Sequence, residues 1–264
     1  MIAYTPDNRE IYYRTQGKGP ELLFVHGAGS DADAYSALVS ILSSQHRCVT
    51  FDRLGYSRSA HLDHPTTVEE QVAAIATVHD GVTREPAWVF AHSSGGNFAL
   101  AYVLARPERV KGLVLMEPAL YGIYPAEQKP PEVDRIDSVV VPLFQQGQIE
   151  KGRAEFFALF GWPATGPVSD NWRFFGYDQP VVKSWRPSDE ALHLMTLPVL
   201  LMDGGRSPAL LRNICDLLAA HLGNSTSVTL ENQDHLAPWA APQVVAAEIM
   251  AFIAECESSI RRGA

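Results

Sequence analysis

Hydrophobic and polar positions follow two alternating spacings in the first part of the chain. Residues 10–15 alternate as an early strand does, and residues 22–25 form a short apolar run that ends at a glycine-rich loop, as a buried parallel strand would. Residues 34–44 carry apolar side chains at the spacing of one helical face. Residues 49–51 then return to the strand pattern. The pattern predicts a strand-helix-strand unit.

The alternation continues along the chain. Thr67, followed by Glu70 three residues later, predicts a capped helix over 67–78. Further strands are predicted at 87–90, 112–116, 198–202 and 227–230, and further helices at 94–105, 208–222 and 242–257. Regular alternation of this kind predicts an α/β fold, with a mostly parallel sheet covered by helices on both faces.

One long segment, 118–197, does not follow this alternation. It is rich in proline and aromatic residues and is typical of several short helices. We interpret it as a helical cap inserted between two sheet strands, so that 1–117 and 198–264 form the core domain. Its aromatic residues either line a substrate pocket or form the cap's own core: Trp162, Trp172, Phe174, Phe175, Tyr177 and Trp185.

Composition narrows the class of protein. The chain has 264 residues, of which 46% are hydrophobic and 19% charged, and this is enough for one globular enzyme. The formal net charge of −9 disfavours binding to nucleic acid or to an anionic membrane, so we expect neither as a partner. Neither a signal sequence nor a membrane span is predicted, and we expect a cytoplasmic monomer or homodimer. Cys48, Cys215 and Cys256 have no redox or metal spacing, and no metal or organic cofactor is expected.

The most informative motif lies where the predicted strand 87–90 runs into the helix 94–105. The sequence Ala91-His92-Ser93-Ser94-Gly95 has the form small-x-Ser-x-Gly. A serine hydroxyl is a weak nucleophile, and a tight strand-turn-helix lets it project toward a base. Such a turn needs small neighbours, which Ala91 and Gly95 provide. This spacing selects Ser93 over Ser94 as the nucleophile.

With this motif the chain resembles the α/β-hydrolase superfamily of serine hydrolases over nearly its whole length. The matching features are the loop 26–29 (His-Gly-Ala-Gly), the loop 52–59 (Asp-Arg-Leu-Gly-Tyr-Ser-Arg-Ser), the serine motif and a late histidine. The resemblance implies an eight-stranded, mostly parallel sheet. It also implies an oxyanion hole formed by the N–H groups of Ala28 and Ser94, with Gly29 beside it at the substrate.

The resemblance places the catalytic base at His235, after the predicted strand 227–230 and before the last helix. An imidazole titrates near neutrality and so is able to take and return the serine proton. His92 is expected to point away from the nucleophile. His26 belongs to the loop 26–29, called the oxyanion loop because it contains Ala28. The other histidines are interpreted as surface or loop residues: His46, His61, His64, His79, His193 and His221.

The acid of the triad has two candidates. The superfamily most often has its carboxylate after the strand 198–202, where this chain reads Gly-Gly-Arg-Ser at 204–207, and Asp203 lies too early. Glu117 directly follows the strand 112–116, a position at which haloalkane dehalogenases and zearalenone lactonases resemble this chain. The order Ser93, Glu117, His235 is that of the superfamily. Glu117 is therefore favoured, and Asp203 is the alternative.

The expected reaction is two-step acyl transfer on an ester or lactone. Epoxide hydrolase and dehalogenase chemistry is disfavoured because both use a carboxylate nucleophile. The loop 50–60, the serine motif and Glu117 are similar to those of zearalenone lactonases, which points toward a bulky apolar lactone. Carbon-carbon bond hydrolases and thioesterases use the same triad and stay open. So does a non-hydrolytic cyclase, lyase or ligand receptor on this fold.

Overall fold

The sheet sets the frame of the molecule. The structure is a computed structural model that describes residues 1–163 and 169–263. In this part of the chain the strands are β1 (Ile2–Tyr4), β2 (Glu10–Gln16), β3 (Glu21–Val25), β4 (Arg47–Phe51), β5 (Ala87–His92), β6 (Val110–Met116), β7 (Val199–Gly204) and β8 (Ser225–Leu230). They form one sheet in the order β1-β2-β4-β3-β5-β6-β7-β8. The eight-stranded sheet expected from the resemblance is confirmed.

Only the first two strands break the parallel arrangement. β1 pairs antiparallel with β2, and β2 pairs antiparallel with β4. Every later neighbour pairs parallel. The central strand β5 is buried along its whole length, as expected for a parallel strand covered on both faces. β1 was not predicted from the sequence, because it has only three residues, two of them exposed, and shows no alternation of apolar and polar positions.

Helices cover both faces of the sheet. Their bounds are α1 (Ser36–Leu42), α2 (Val68–Val82), α3 (Gly95–Ala105), α4 (Pro131–Arg135), α5 (Val141–Gln145), α6 (Ile149–Leu159), α7 (Phe175–Ser184), α8 (Asp189–His193), α9 (Ala209–His221), α10 (Ala237–Ala240) and α11 (Pro242–Gly263). Along β5, Val89 and Ala91 join the core under α2, α3 and α9, whereas Trp88 and Phe90 join the core under α1 and α11. This alternation is the two-residue period of a strand.

Helix α2 begins at the predicted cap. The Thr67 hydroxyl accepts the N–H of Glu70, and the Glu70 carboxylate accepts the N–H of Thr67 at 3.0 Å. The helix runs on to Val82. His79, which the sequence analysis assigned to the surface or a loop, is buried near its end, with Nδ1 2.7 Å from the Tyr102 hydroxyl. That assignment was wrong because His79 lies on the face of α2 that packs against α3. His46 is likewise buried.

The segment predicted as a cap, residues 118–197, lies between β6 and β7, and its described residues are mostly helical. We use the word cap as a name for this segment. It contains α4 to α8, a π-helical turn at Ile136–Val140 and 3₁₀ turns at Tyr121–Ile123, Ala126–Gln128 and Asp170–Phe174. Residues 164–168, which fall inside the predicted cap, and residue 264 of the predicted core lie outside the described residues. The aromatic rings of the segment contact one another, with Phe156 against both Trp172 and Phe175. Within the described ranges, no helix has the length and apolar character needed to cross a bilayer.

Candidate active site

Ser93 occupies a sharp turn between β5 and α3. Its φ is +54°, in the left-handed region that residues with a side chain seldom adopt. The backbone hydrogen bonds of the turn hold it there: Ser93 N–H donates to Met116 O at 3.1 Å, and Ser93 O accepts from Gly96 N at 2.9 Å and Ala119 N at 3.1 Å. The hydroxyl-bearing residue is half-buried and lines a cavity. The turn therefore presents Ser93 to that cavity.

The neighbours of Ser93 leave no room for larger side chains. A Cβ on Gly95 would lie 2.5 Å from the carbonyl oxygens of both Val25 and His26. A Cβ on Gly27 would lie 2.8 Å from the Cβ of Ser93. Real Cβ atoms do not approach this closely, so the end of β3 and the start of α3 pack together only because these positions are glycine.

Glu117 and His235 meet at the same edge of the sheet. Glu117 Oε2 lies 2.7 Å from His235 Nδ1, and Glu117 Oε1 accepts the N–H of Gly204 at 2.7 Å. Both side chains are buried. Because a carboxylate only accepts hydrogen bonds, Nδ1 carries the proton in this contact, and Nε2 is left with its lone pair. The glutamate thus fixes both the orientation and the tautomer of the imidazole.

Asp203, the alternative acid, has a different environment. It is half-buried on β7, with Thr229 of β8 opposite it. Its Oδ1 has no hydrogen-bond partner in the described part of the chain, and no hydrogen bond or ion pair there joins it to His235. Burial raises the pKa of this carboxyl above its ordinary value, and the nearby charge of Glu117 adds to the effect. The structure brings Glu117 to the histidine, and it leaves Asp203 at the strand.

His92 supports the candidate base and was missed by the sequence analysis, which expected it merely to point away from the nucleophile. Its ring lies against that of His235, with centroids 4.3 Å apart, and its Nε2 is 3.0 Å from the carbonyl oxygen of His235. Since a carbonyl only accepts, Nε2 donates, and Nδ1 accepts from the Tyr35 hydroxyl at 3.1 Å. His92, the last residue of β5, is thereby joined to the loop that carries His235.

Two backbone amides are available beside Ser93. Ala28 and Ser94 both line the cavity, and across residues 1–163 and 169–263 neither N–H has a hydrogen-bond acceptor. Ser94 is also the N-cap residue of α3, where the helix dipole favours negative charge. The arrangement suits an oxygen atom that gains negative charge.

The cavity has a volume of about 800 Å³, and aromatic residues of the cap form one part of its wall. All candidate substrate residues line it: Gly29, Trp162, Trp172 and Phe175. Trp162 stacks on the His235 ring, with centroids 5.0 Å apart and planes 3° apart. Gly29 has a φ of +70°, and a Cβ there would lie 2.4 Å from the Trp172 ring. Phe174 instead packs on Tyr56.

Metal-binding residues were not expected in this chain. Among the described residues, no group of three or more His, Cys, Asp and Glu side chains is placed to hold a metal ion. Cys48, Cys215 and Cys256 are free thiols, the first two of them buried.

This fold and this edge-of-sheet arrangement of serine, histidine and glutamate are those of an α/β hydrolase. A family model described as alpha/beta hydrolase fold matches residues 20–161, more than half of the chain. The protein therefore belongs to the α/β-hydrolase family.

Known proteins place the chain among hydrolases. An uncharacterized hydrolase, YraK, of Bacillus subtilis is 36% identical over 112 residues, which are 42% of this chain and 41% of that relative's length. The (E)-2-((N-methylformamido)methylene)succinate hydrolase of Acinetobacter baylyi is 24% identical over 96% of this chain and 98% of its own. The crystal structure of an alpha/beta hydrolase from Sphaerobacter thermophilus superposes with a TM-score of 0.80 and 25% identity, covering 96% of this chain and 100% of that one.

The buried histidines predict how stability depends on pH. Burial, with the charge of Arg53, lowers the pKa of His26 from 6.5 to about 3, and burial beside His235 lowers the pKa of His92 well below 6.5. Below pH 6.5 the unfolded chain takes up protons at these sites and the folded protein does not. The free energy of unfolding should therefore fall as the pH drops from 6.5 toward 5, by up to about 1.4 kcal/mol per pH unit for each histidine.

Urea denaturation at several pH values measures this slope. His92→Asn should make the free energy of unfolding fall less steeply with decreasing pH, by about the contribution of one histidine. His193→Asn, at an exposed position, is the matched control. An unchanged slope in His92→Asn would show that His92 does not stay neutral in the folded protein over this range.

Proposed function

We propose that this protein is a serine hydrolase that cleaves a carboxylic ester by two-step acyl transfer, with Ser93 as the nucleophile. The observation that carries the proposal is the 2.7 Å contact between Glu117 Oε2 and His235 Nδ1, at a cavity that the same histidine shares with Ser93. A serine at a strand-to-helix turn, an imidazole with a fixed tautomer and two unpaired amides are the groups that this chemistry requires.

The first step acylates the serine. His235 Nε2 takes the hydroxyl proton as Ser93 Oγ attacks the ester carbonyl, whose electron pair moves onto its oxygen. The N–H groups of Ala28 and Ser94 stabilise that oxyanion. As the carbonyl re-forms, the C–O bond to the alcohol breaks, and the alcohol leaves with the proton from His235. Throughout, Glu117 stabilises the imidazolium without taking its proton.

The second step releases the acid. Water gives a proton to His235 as its oxygen attacks the acyl carbonyl, and the same two amides hold the second oxyanion. The bond to Ser93 Oγ then breaks, and the serine recovers its proton from His235. The balance is one ester and one water converted into one alcohol and one acid, so the enzyme returns to its starting state.

The volume and lining of the cavity favour a substrate with a large, apolar, ring-containing acyl or alcohol group. Its volume of about 800 Å³ exceeds what a small aliphatic ester fills, and Trp162, Trp172 and Phe175 offer flat apolar walls. With the similarity of the loop 50–60 and of the Glu117 position to zearalenone lactonases, this favours a bulky lactone. In a lactone the leaving alcohol stays attached to the acyl group, so a roomy cavity retains both ends.

A second candidate is an ester or amide that carries a carboxylate. Arg153 of α6 is only 7% exposed yet lines the cavity, with its guanidinium 5.0 Å from the centre of the Phe157 ring. A guanidinium recognises a carboxylate by paired hydrogen bonds. The relative from Acinetobacter baylyi, which aligns over 96% of this chain, is named for a substituted succinate, and a carboxylate-bearing substrate agrees with that name in charge.

Loss of the nucleophile gives the first prediction for this function. Wild-type protein should hydrolyse a short p-nitrophenyl ester and be labelled by a fluorophosphonate probe, whereas Ser93→Ala should do neither. The exposed cap serine variant Ser138→Ala is the control and should behave as wild type. Turnover or labelling retained in Ser93→Ala would refute Ser93 as nucleophile. Absence of both in wild type would favour the cyclase, lyase or receptor alternatives.

The triad acid is tested by a matched pair of carboxylate-to-amide changes. Glu117→Gln should lower kcat by about 10²- to 10⁴-fold, because the amide no longer holds the imidazole in the productive tautomer. Asp203→Asn should stay within about threefold of wild type, since among the described residues no hydrogen bond or ion pair joins Asp203 to His235. Circular dichroism and thermal melting check that both variants fold. The opposite ranking would make Asp203 the acid.

A substrate panel tests the bond and the substrate class. We expect kcat/KM to be higher for a macrolactone and a bulky aryl ester than for a short thioester or a carbon-carbon bond substrate. Against a carboxylate-bearing ester, Arg153→Gln should raise KM about tenfold and leave the neutral ester nearly unchanged if the second candidate holds. Preference for the thioester or the carbon-carbon substrate would reject the ester and lactone assignment.

A further inference from the structure

A buried ion pair joins the cap to the core next to Ser94. Arg53, in the loop after β4, donates from Nη2 to Asp178 Oδ2 at 2.6 Å and from Nη1 to Asp178 Oδ1 at 3.2 Å. Asp178 belongs to α7 of the cap, 125 residues along the chain. The Tyr56 hydroxyl donates to the same Oδ2 at 2.7 Å, and the Ser94 hydroxyl donates to it at 3.1 Å. One carboxylate thus accepts hydrogen bonds from three core residues.

The ion pair between Arg53 and Asp178 is almost completely buried. The side chains of Arg53 and Asp178 are 0% and 2% exposed. Removal of one partner would leave an uncompensated buried charge, which is strongly destabilising. The pair therefore constrains the backbone on each side of it to one arrangement.

Hydrogen bonds of this cluster hold residues at or near both backbone amides of the proposed oxyanion hole. The Ser94 side chain is bound directly, because its hydroxyl donates to Asp178. On the other side, the guanidinium Nε of Arg53 donates to the carbonyl oxygen of His26 at 2.8 Å, and the backbone N–H of Arg53 donates to His26 Nε2 at 2.9 Å. His26 precedes Gly27 and Ala28 in the oxyanion loop.

We propose that Asp178 is a positioning residue for the oxyanion hole, an inference that rests on the proposed serine hydrolase function. It holds the Ser94 amide through the Ser94 hydroxyl, and it holds the loop of Ala28 through Arg53 and His26. Because Asp178 lies on α7, the two amides take their working orientation only when this cap helix is docked on the core.

Charge neutralisation is the second part of this role. Asp178 lines the cavity in which the oxyanion would form, and an unpaired carboxylate there would oppose the developing negative charge. The bidentate contact with Arg53 cancels that charge locally. The pair therefore supplies a hydrogen-bond acceptor for Ser94 without making the cavity negative.

The test compares Asp178→Asn, Ser94→Ala and the double variant in the full-length protein. Ser94→Ala keeps the backbone amide and removes only the hydroxyl link, and the Ser94 side chain makes no capping hydrogen bond to α3. Asp189→Asn, an exposed cap carboxylate paired with Arg186, is the matched control. The readouts are kcat and KM for a short p-nitrophenyl ester, and the inhibition constant of a boronic acid that forms a tetrahedral adduct with the serine.

We expect each single variant to lower kcat about 10- to 100-fold, less than the 10²- to 10³-fold of deleting a donor outright. KM should change less than about threefold, because a misplaced amide weakens the tetrahedral state more than the ground state. The inhibition constant of the boronic acid should rise by the same factor as kcat/KM falls. A role confined to stability would lower the melting temperature without this parallel.

The double variant tests whether Asp178 acts through Ser94. If it does, Asp178→Asn should cost at least threefold less kcat in the Ser94→Ala background than in wild type. Should Asp178→Asn fail to fold, Tyr56→Phe replaces it. That change removes one hydrogen bond to Oδ2 and should lower kcat severalfold, again in parallel with boronic acid affinity.

Outcomes that overturn the proposal are distinct from failure of the proposed function. Wild-type kcat and boronic acid affinity in the folded Asp178 and Ser94 variants would overturn it, as would a rise in KM alone, which would make Asp178 a wall of the cavity. Equal costs in both backgrounds would overturn the route through Ser94. If Ser93→Ala instead keeps full activity, the serine hydrolase assignment itself fails.

Discussion

The hydrogen bond between Glu117 and His235 is the constraint on which the rest of the site depends. It joins residues 118 positions apart, and it exists only when β6, β7 and the loop after β8 have taken their places in the sheet. A buried carboxylate is costly unless both oxygens are hydrogen-bonded. Here His235 and the Gly204 amide satisfy them. The same two hydrogen bonds that satisfy the buried Glu117 carboxylate therefore also orient the His235 imidazole.

The parallel arrangement of the strands brings the other residues of the site to the same edge of the sheet. The carboxyl ends of parallel strands meet at one edge, where ligands bind in open α/β sheets. β3 delivers the loop of Ala28, β5 delivers Ser93, and β6 delivers Glu117. The antiparallel strands β1 and β2 lie at the far side and contribute none of these groups. The order of the strands in the sheet differs from their order along the chain, yet Ala28, Ser93 and Glu117 all follow strands at the same edge.

Sequence reasoning succeeded where the signal was local. Apolar spacing located seven of the eight strands, and the pair Thr67 and Glu70 located the start of α2. The small residues around Ser93 indicated a turn there, and the structure has Ser93 at a turn between β5 and α3; its role as nucleophile stays a prediction. The choice between Glu117 and Asp203 was less sharp, since both end predicted strands and only pairing across the sheet decides which one reaches His235.

Long-range contacts explain what the sequence did not reveal. The ring of His92 lies against a residue 143 positions later, and Arg53 meets Asp178 from another layer. No spacing rule encodes such encounters. His79 was misassigned for a related reason: a polar residue near a helix end resembles a surface residue until α3 packs against it.

The Arg53–Asp178 pair also limits how freely this architecture recombines. Chain breaks before α4 and after α8 would separate cap from core cleanly in sequence, inviting the exchange of one cap for another. Such a chimera would leave the guanidinium of Arg53 enclosed without a counter-ion unless the incoming helix brought its own carboxylate. It would also lose the close packing of the Trp172 ring on the backbone of Gly29. Exchange of the cap is therefore limited by contacts that a comparison of segment boundaries does not reveal.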